Sequence, residues 1–218
     1  MPHDQRQKDG DKLMATYTLQ PDGTAGIDNN IISDIPTTNR GTNTGIDIGY
    51  DTGGSGKGRG LIKFDFSSIP TNLNITSSIM TITPVIDYSS NSRTLSVYRS
   101  LRAWTESGST WNKYDGTNNW GTAGADNTTT DREATAIGTV SVGASPTIGA
   151  GIDIPLNAAA IQEMVRGTFA NNGFVLRVNT ESDDGIVYAS SDNATPSYRP
   201  KLVIEGTLPG GGHIYWFD

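Results

Sequence analysis

The chemistry open to this chain rests on carboxylates, cations and indoles. There is no cysteine, and the two histidines are His3 and His213. Thiol nucleophiles, thiolate metal sites and disulfides are therefore excluded, and a Ser-His-Asp triad or a three-histidine zinc site is close to excluded. Carboxylates are plentiful, with eighteen Asp against five Glu. Asp28, Asp126 and Asp183 stand in or beside turn-rich segments, where short carboxylates and loop carbonyls suit a hard cation, so the metal expectation is a structural calcium site. Turn formation by Asp explains the same residues without a metal. No pair of carboxylates is marked as acid and base, so glycoside hydrolysis is not expected.

The cations that stand out are Lys63, Arg99 and Arg177, on or beside short apolar runs that read as strands. If one outer sheet face gathers them, they form a cationic groove for uronate or sulfate groups of an acidic polysaccharide, with Arg giving bidentate contacts. The plainer alternative is that strand cations pair with residues such as Asp65 or Glu106 and solvate a face. Tyr114 and Trp120 lie among Asn, Gly and Asp and are expected to be exposed at the groove rim, where aromatic faces stack on sugar rings. Trp104 and Trp111 are expected to fill the core. A net charge of −7 argues against nucleic acid as a partner, because phosphate tracking depends on Lys and Arg. After Gly210, Gly211 and Gly212 come Tyr215, Trp216 and Phe217, three aromatics suited to anchor another subunit.

The elements that must position these groups are short strands. Among 218 residues there are 26 Gly and 10 Pro with only 18% charged, a balance that fits many turns. Period-two or short apolar runs fall at 15–20, 46–50, 60–66, 78–86, 93–104, 135–142, 151–154, 173–179, 185–190 and 201–205. Within 60–66, Ile62, Phe64 and Phe66 are expected to face the core, with Lys63 and Asp65 opposite. One segment breaks the pattern: Asn157, then AAAIQEMVR, then Gly167, which is an N-cap, a run of helix formers and a C′ glycine. The expected fold is an all-β antiparallel sandwich, a jelly roll with one short capping helix. Residues 1–14 read as an arm or leader, 15–207 as the domain and 208–218 as a glycine-linked aromatic tail. No run approaches the length of a membrane-spanning helix, and the polar start has no apolar signal-peptide core.

Several stretches, taken in order, resemble the DNRLRE family, a carbohydrate-binding-module-like family related to the archaeal disaggregatase domains. They are Asp28, TNRG (Thr38 to Gly41), IDIG (Ile46 to Gly49), GRGLIKFDFSSIP (Gly58 to Pro70), ITSS (Ile75 to Ser78) and VYRSLRAWTESGSTWN (Val97 to Asn112). Further on come Trp120, GAD (Gly124 to Asp126), Val165 with Gly167, NNGFVLR (Asn171 to Arg177), ASSD (Ala189 to Asp192) and YRPKLVI (Tyr198 to Ile204). The resemblance covers residues from about 16 to about 207 and implies a jelly roll that is a module rather than an enzyme. It also marks Arg40 as a departure, since an aromatic residue is more usual there. With the aromatic tail, the leading expectation is a non-enzymatic surface protein of an assembly, a phage virion decoration or fibre component. Its partners would be further copies or other virion subunits, with glycan binding in addition. The alternative is a carbohydrate-binding module of a secreted bacterial protein, located outside the cell.

Overall fold

The computed structural model describes residues 13–21, 26–50, 56–181 and 185–209. Two antiparallel sheets make up the fold. The first has four strands in the order β1 (Leu13–Leu19), β12 (Lys201–Leu208), β5 (Asn74–Ile82) and β9 (Ile152–Pro155). The second runs β6 (Pro84–Asp87), β11 (Gly185–Ala189), β3 (Gly45–Tyr50), β4 (Lys57–Phe64), β10 (Phe174–Val178), β7 (Arg93–Arg99) and β8 (Gly138–Val142), with β2 (Gly26–Ile32) paired to β4. Among the described residues every strand pairing is antiparallel. Curling brings the two inner faces together, as the sequence pattern predicts.

Alternation decides what enters the space between the sheets. Ile46 and Ile48 from β3, Ile62 and Phe64 from β4, Phe174 and Leu176 from β10, Met80 from β5 and Leu202 and Ile204 from β12 form one buried cluster. Phe64 and Phe174 meet at 6.3 Å between ring centroids, tilted by 56°. Phe66 joins the same cluster, whereas Asp65 is exposed and Lys63 half-buried, so the expected inside-outside division of this strand holds.

The helix α1 (Ala158–Arg166) forms as its sequence reads. The Asn157 side chain accepts from the backbone N–H of Ala159 at 2.9 Å and Ala160 at 3.2 Å. Gly167 ends it at φ 73°, a left-handed position that a β-carbon would strain. Ala160, Ile161, Met164 and Val165 bury one face, and Gln162 Oε1 accepts from the Ile75 backbone N–H at 2.9 Å. The helix thereby rests on β5.

Two features depart from the pattern. Strand β2 is absent from the predicted runs because its centre is Asp28, Asn29 and Asn30, yet all three are buried. Distant segments hold most of their polar groups: the Asn29 amide donates to Ser109 O at 2.8 Å and Ser109 Oγ at 2.6 Å in a loop, and that of Asn30 donates to Asp47 O on β3 at 2.9 Å, while Asn30 Oδ1 is buried without a protein partner. The run read as 78–86 is two strands in different sheets, divided at Thr83 and Pro84, where a proline cannot continue the ladder as donor.

The outer face of the eight-stranded sheet is roofed at its centre. Residues 100–137 run over it almost without regular structure, and Trp104, Trp120 and Ala125 pack on Ile31, Leu61 and Val175 as a second buried cluster. Asp131, fully buried, holds the roof together by accepting from the backbone N–H groups of Gly121, Thr122 and Asn127 at 2.7, 2.9 and 3.1 Å.

Candidate functional site

The expected cationic groove does not form. Phe174 pairs with both Ile62 and Arg99, so Arg99 shares the inward parity of the core strands, while Lys63 and Arg177 have the outward one. Arg99 lies below α1, with Nε 2.7 Å from Glu133, Nη1 2.6 Å from Glu163, and its guanidinium 3.7 Å over the Phe169 ring. Lys63 and Arg177 share a face but sit at opposite ends of it, about four residues or roughly 13 Å apart along the strands.

Arg177 belongs instead to an ion-pair cluster at the roof, in which its own side chain is 19% exposed and that of Asp126 33%. Its Nη1 bonds Asp126 and its Nη2 lies 3.2 Å from Glu181. Arg59, 1% exposed, makes a forked bond to Glu181 at 2.6 and 2.7 Å and reaches Asp126 at 3.3 Å. Arg132 meets Asp126 at 3.0 Å, and the Arg59 guanidinium stands 5.0 Å from the Trp111 ring. Burial works against the charge of Arg59, but the Glu181 bonds and the nearby Glu181 and Asp126 charges outweigh it and raise its pKa. Burial likewise opposes ionisation of Asp126, yet the three arginines hold its carboxyl below the ordinary value.

Asp126 is therefore an arginine ligand, not the calcium ligand expected: three guanidinium groups repel a cation from that position. Asp183 lies outside the described residues, as do Tyr215, Trp216 and Phe217. Among the described residues no three carboxylate or histidine side chains come together as metal ligands.

The aromatic rim is also corrected. Trp120 is 5% exposed, and its Nε1 donates to Thr110 O at 2.9 Å, so it pins its own loop. Tyr114 is half-buried, tilted on Trp120 at 5.7 Å with Arg102 at 5.2 Å over its ring. Trp104 is buried as expected, but in the cluster beneath the roof rather than between the sheets; Trp111 packs beside it.

A different corner collects the motif residues. Asp28 on β2 accepts from the Ser191 backbone N–H, and its own N–H donates to Glu106 Oε1 at 3.2 Å. Asn39 donates to Glu106 O at 2.6 Å and Ser109 O at 2.8 Å. A β-carbon on Gly41 would stand 2.6 Å from Glu106 O, so glycine lets the two loops touch. The segments TNRG, TESGS and ASSD are thus fastened to one another over a single buried carboxyl. Burial, with Glu106 and Asp192 nearby, pushes Asp28 up to about 7 despite the hydrogen bonds from Ser191, and burial also raises Glu106.

Beside this corner, an open groove of about 670 Å³ crosses the outward faces of β3, β11 and β6. The register sets Asp47 beside Val187 and Val187 beside Ile86. Gly45 leaves room for Val187 to lie across the sheet, since a β-carbon there would come 2.6 Å from Val187 Cγ1. Ile86 and Tyr88 are 43% and 50% exposed. Arg40 closes one side, its Nη2 3.4 Å from Asp47 Oδ2. With the Asn43 amide turned so that its oxygen faces the guanidinium, it accepts from Arg40 Nε at 3.1 Å and Nη2 at 2.9 Å. The rim is fixed by Ser190 Oγ donating to Asn43 O at 2.6 Å and the Asn193 amide donating to Thr44 O at 3.2 Å.

Such a groove, with an apolar floor and convergent polar groups, has the makings of a small-ligand site. In the sequence, Arg40 drew notice as a departure from the family pattern and Asp47 as a carboxylate within the IDIG segment, neither as a groove contact. Asp47 carried a readable signal, a single carboxylate between two core isoleucines and hence forced outward. Tyr88 carried none, because it lies one residue beyond a strand that pattern alone fused with β5.

Comparison with the curated proteins finds no match. The pattern of the disaggregatase-related repeat domain matches residues 28–204, from buried Asp28 through the groove and the arginine cluster to the core of the last strand. The chain belongs to the disaggregatase-related repeat domain family.

Proposed function

We propose that this protein is a non-catalytic glycan-binding surface module, and that the groove beside Arg40, Asp47 and Tyr88 is its binding face. The observation that carries the reading is an exposed tyrosine on a strand-built apolar floor, next to a tied pair of polar side chains, in a rim held by hydrogen bonds before any ligand arrives. Family membership supports a surface or repeat-type domain, and the resemblance to the DNRLRE modules points the same way. Asp28 and Glu106 are two carboxyls with raised pKa, but Asp28 is 1% exposed and cannot touch a substrate, which supports binding without cleavage.

The wider setting proposed is the surface of an assembly, such as a phage virion, with secretion from a bacterium as the alternative. Leu13 pairs with Leu208, so the first and last described strands meet at one end. Strand β12 runs eight residues, roughly 23 Å, away from the Asn193 rim, to which Arg199 Nε is bonded at 2.9 Å. A module held through that far end would present its groove outward. A polysaccharide panel with affinity electrophoresis and product analysis tests the function: retardation without released product is expected, and cleavage or a lack of any binding would overturn it.

A further inference from the structure

We propose that the groove recognises a neutral hexopyranose unit rather than a uronate or sulfated sugar, an inference that rests on the glycan-binding reading. Charge is the first argument. Arg40 and Asp47 are the charged side chains that line the groove among the described residues, and they face each other at 3.4 Å. An anionic sugar drawn to Arg40 meets the carboxylate already opposite it, so the groove offers an anion little net attraction. The cations that could have changed this balance, Arg99 and Arg177, are held by carboxylates elsewhere.

Hydrogen-bond geometry is the second argument. A pair of adjacent sugar hydroxyls needs an acceptor and a donor side by side. Asp47, whose side chain is 8% exposed and reaches the groove floor, accepts only, and a guanidinium donates only. Arg40 directs Nε and Nη2 to Asn43 and Asp47, which leaves Nη1 to donate to a ligand hydroxyl. The third is shape: Val187, Ile86 and Tyr88 form a continuous apolar strip beside this pair. A pyranose with one C–H face laid on Ile86 and Tyr88 would turn its edge hydroxyls toward Arg40 and Asp47.

The test is isothermal calorimetry of the whole chain with a neutral glucan, mannan and galactan and with polygalacturonate and alginate, at low and high salt. A neutral polysaccharide should bind with affinity that changes less than about twofold between about 50 and about 500 mM NaCl, because no counter-ion is released. Tyr88→Ala and Arg40→Ala should each weaken it by at least about tenfold. Tighter binding of a polyuronate that collapses with salt would overturn the neutral-sugar assignment and leave the module reading intact. Absence of binding across the whole panel would overturn both. Neutral binding unaffected by Tyr88→Ala and Arg40→Ala would overturn the assignment to this groove, and circular dichroism of both variants separates that outcome from misfolding.

Discussion

The arginine cluster at the roof and the groove beside β6 use the same side-chain types and do opposite things with them. In the cluster, Arg59, Arg132 and Arg177 are matched to Asp126 and Glu181, the Glu181 side chain is 4% exposed, and Trp111 covers Arg59. In the groove, Arg40 is tied to Asn43 and, at 3.4 Å, to Asp47; the Arg40 side chain is 28% exposed and that of Asp47 8%, and the aromatic lies half in solvent. A charged group whose bonding capacity is used up inside the protein has none to offer a ligand. Commitment to protein partners, more than residue type, therefore separates Arg59, whose Nε, Nη1 and Nη2 are all bonded, from Arg40, which uses Nε and Nη2. Arg177 and Trp120 look like ligand contacts in the sequence and are structure; Tyr88 and Asp47 attract little notice and face the groove.

The contrast can be broken by substitution. Trp120→Ala removes a buried indole from the roof cluster and should cost about 4 kcal/mol, seen as a large fall in the denaturant midpoint. An unchanged midpoint would mean that the roof does not depend on it.

Asp28 probes the corner between the regions. Its folded pKa is raised from 3.8 to about 7, so the folded state holds this proton more tightly than the unfolded chain. Its contribution is fully present below about pH 4 and is lost as pH rises toward and through 7, a difference on the order of 4 kcal/mol. Asp28→Asn keeps an oxygen for the Ser191 N–H and should flatten this part of the stability profile, with a gain at pH 8. Thermal unfolding from pH 4 to pH 8 checks it, and parallel profiles for the two proteins would contradict it.

Arg59→Met leaves Glu181 buried with only the Arg177 contact and should lose about 3 kcal/mol, roughly a 10 °C fall in Tm. Tyr88→Ala, at a half-exposed position, should change stability by less than about 0.5 kcal/mol. If the Arg59 and Tyr88 variants melted alike, the distinction between the regions would fail.

How far the sequence reaches follows from the same physics. The core strands and α1 were legible because apolar alternation and the Asn157 and Gly167 caps act locally. Strand β2 was not, since Asp28, Asn29 and Asn30 are buried against partners far away in sequence, the loops at Ser109 and Ser191 and strand β3 at Asp47. The proposed groove cations failed for a register reason: whether Arg99 and Arg177 share a face depends on the alignment of β7 with β10, which pairs Arg177 with Ser96 and Arg99 with Phe174. Trp120 failed because neither spacing nor polarity of its neighbours reveals that residues 100–137 fold down over Leu61 and Val175.

The most direct test of the account compares two double variants for binding to the polysaccharide that the native chain retains. Arg40→Ala with Tyr88→Ala alters the groove; Lys63→Ala with Tyr114→Ala alters the face where the sequence pointed. Calorimetry should show binding lost in the first, at least about a hundredfold weaker, and kept within about twofold in the second, with circular dichroism showing both folded at the assay temperature. Binding kept in the groove variant and lost in the other would contradict the account.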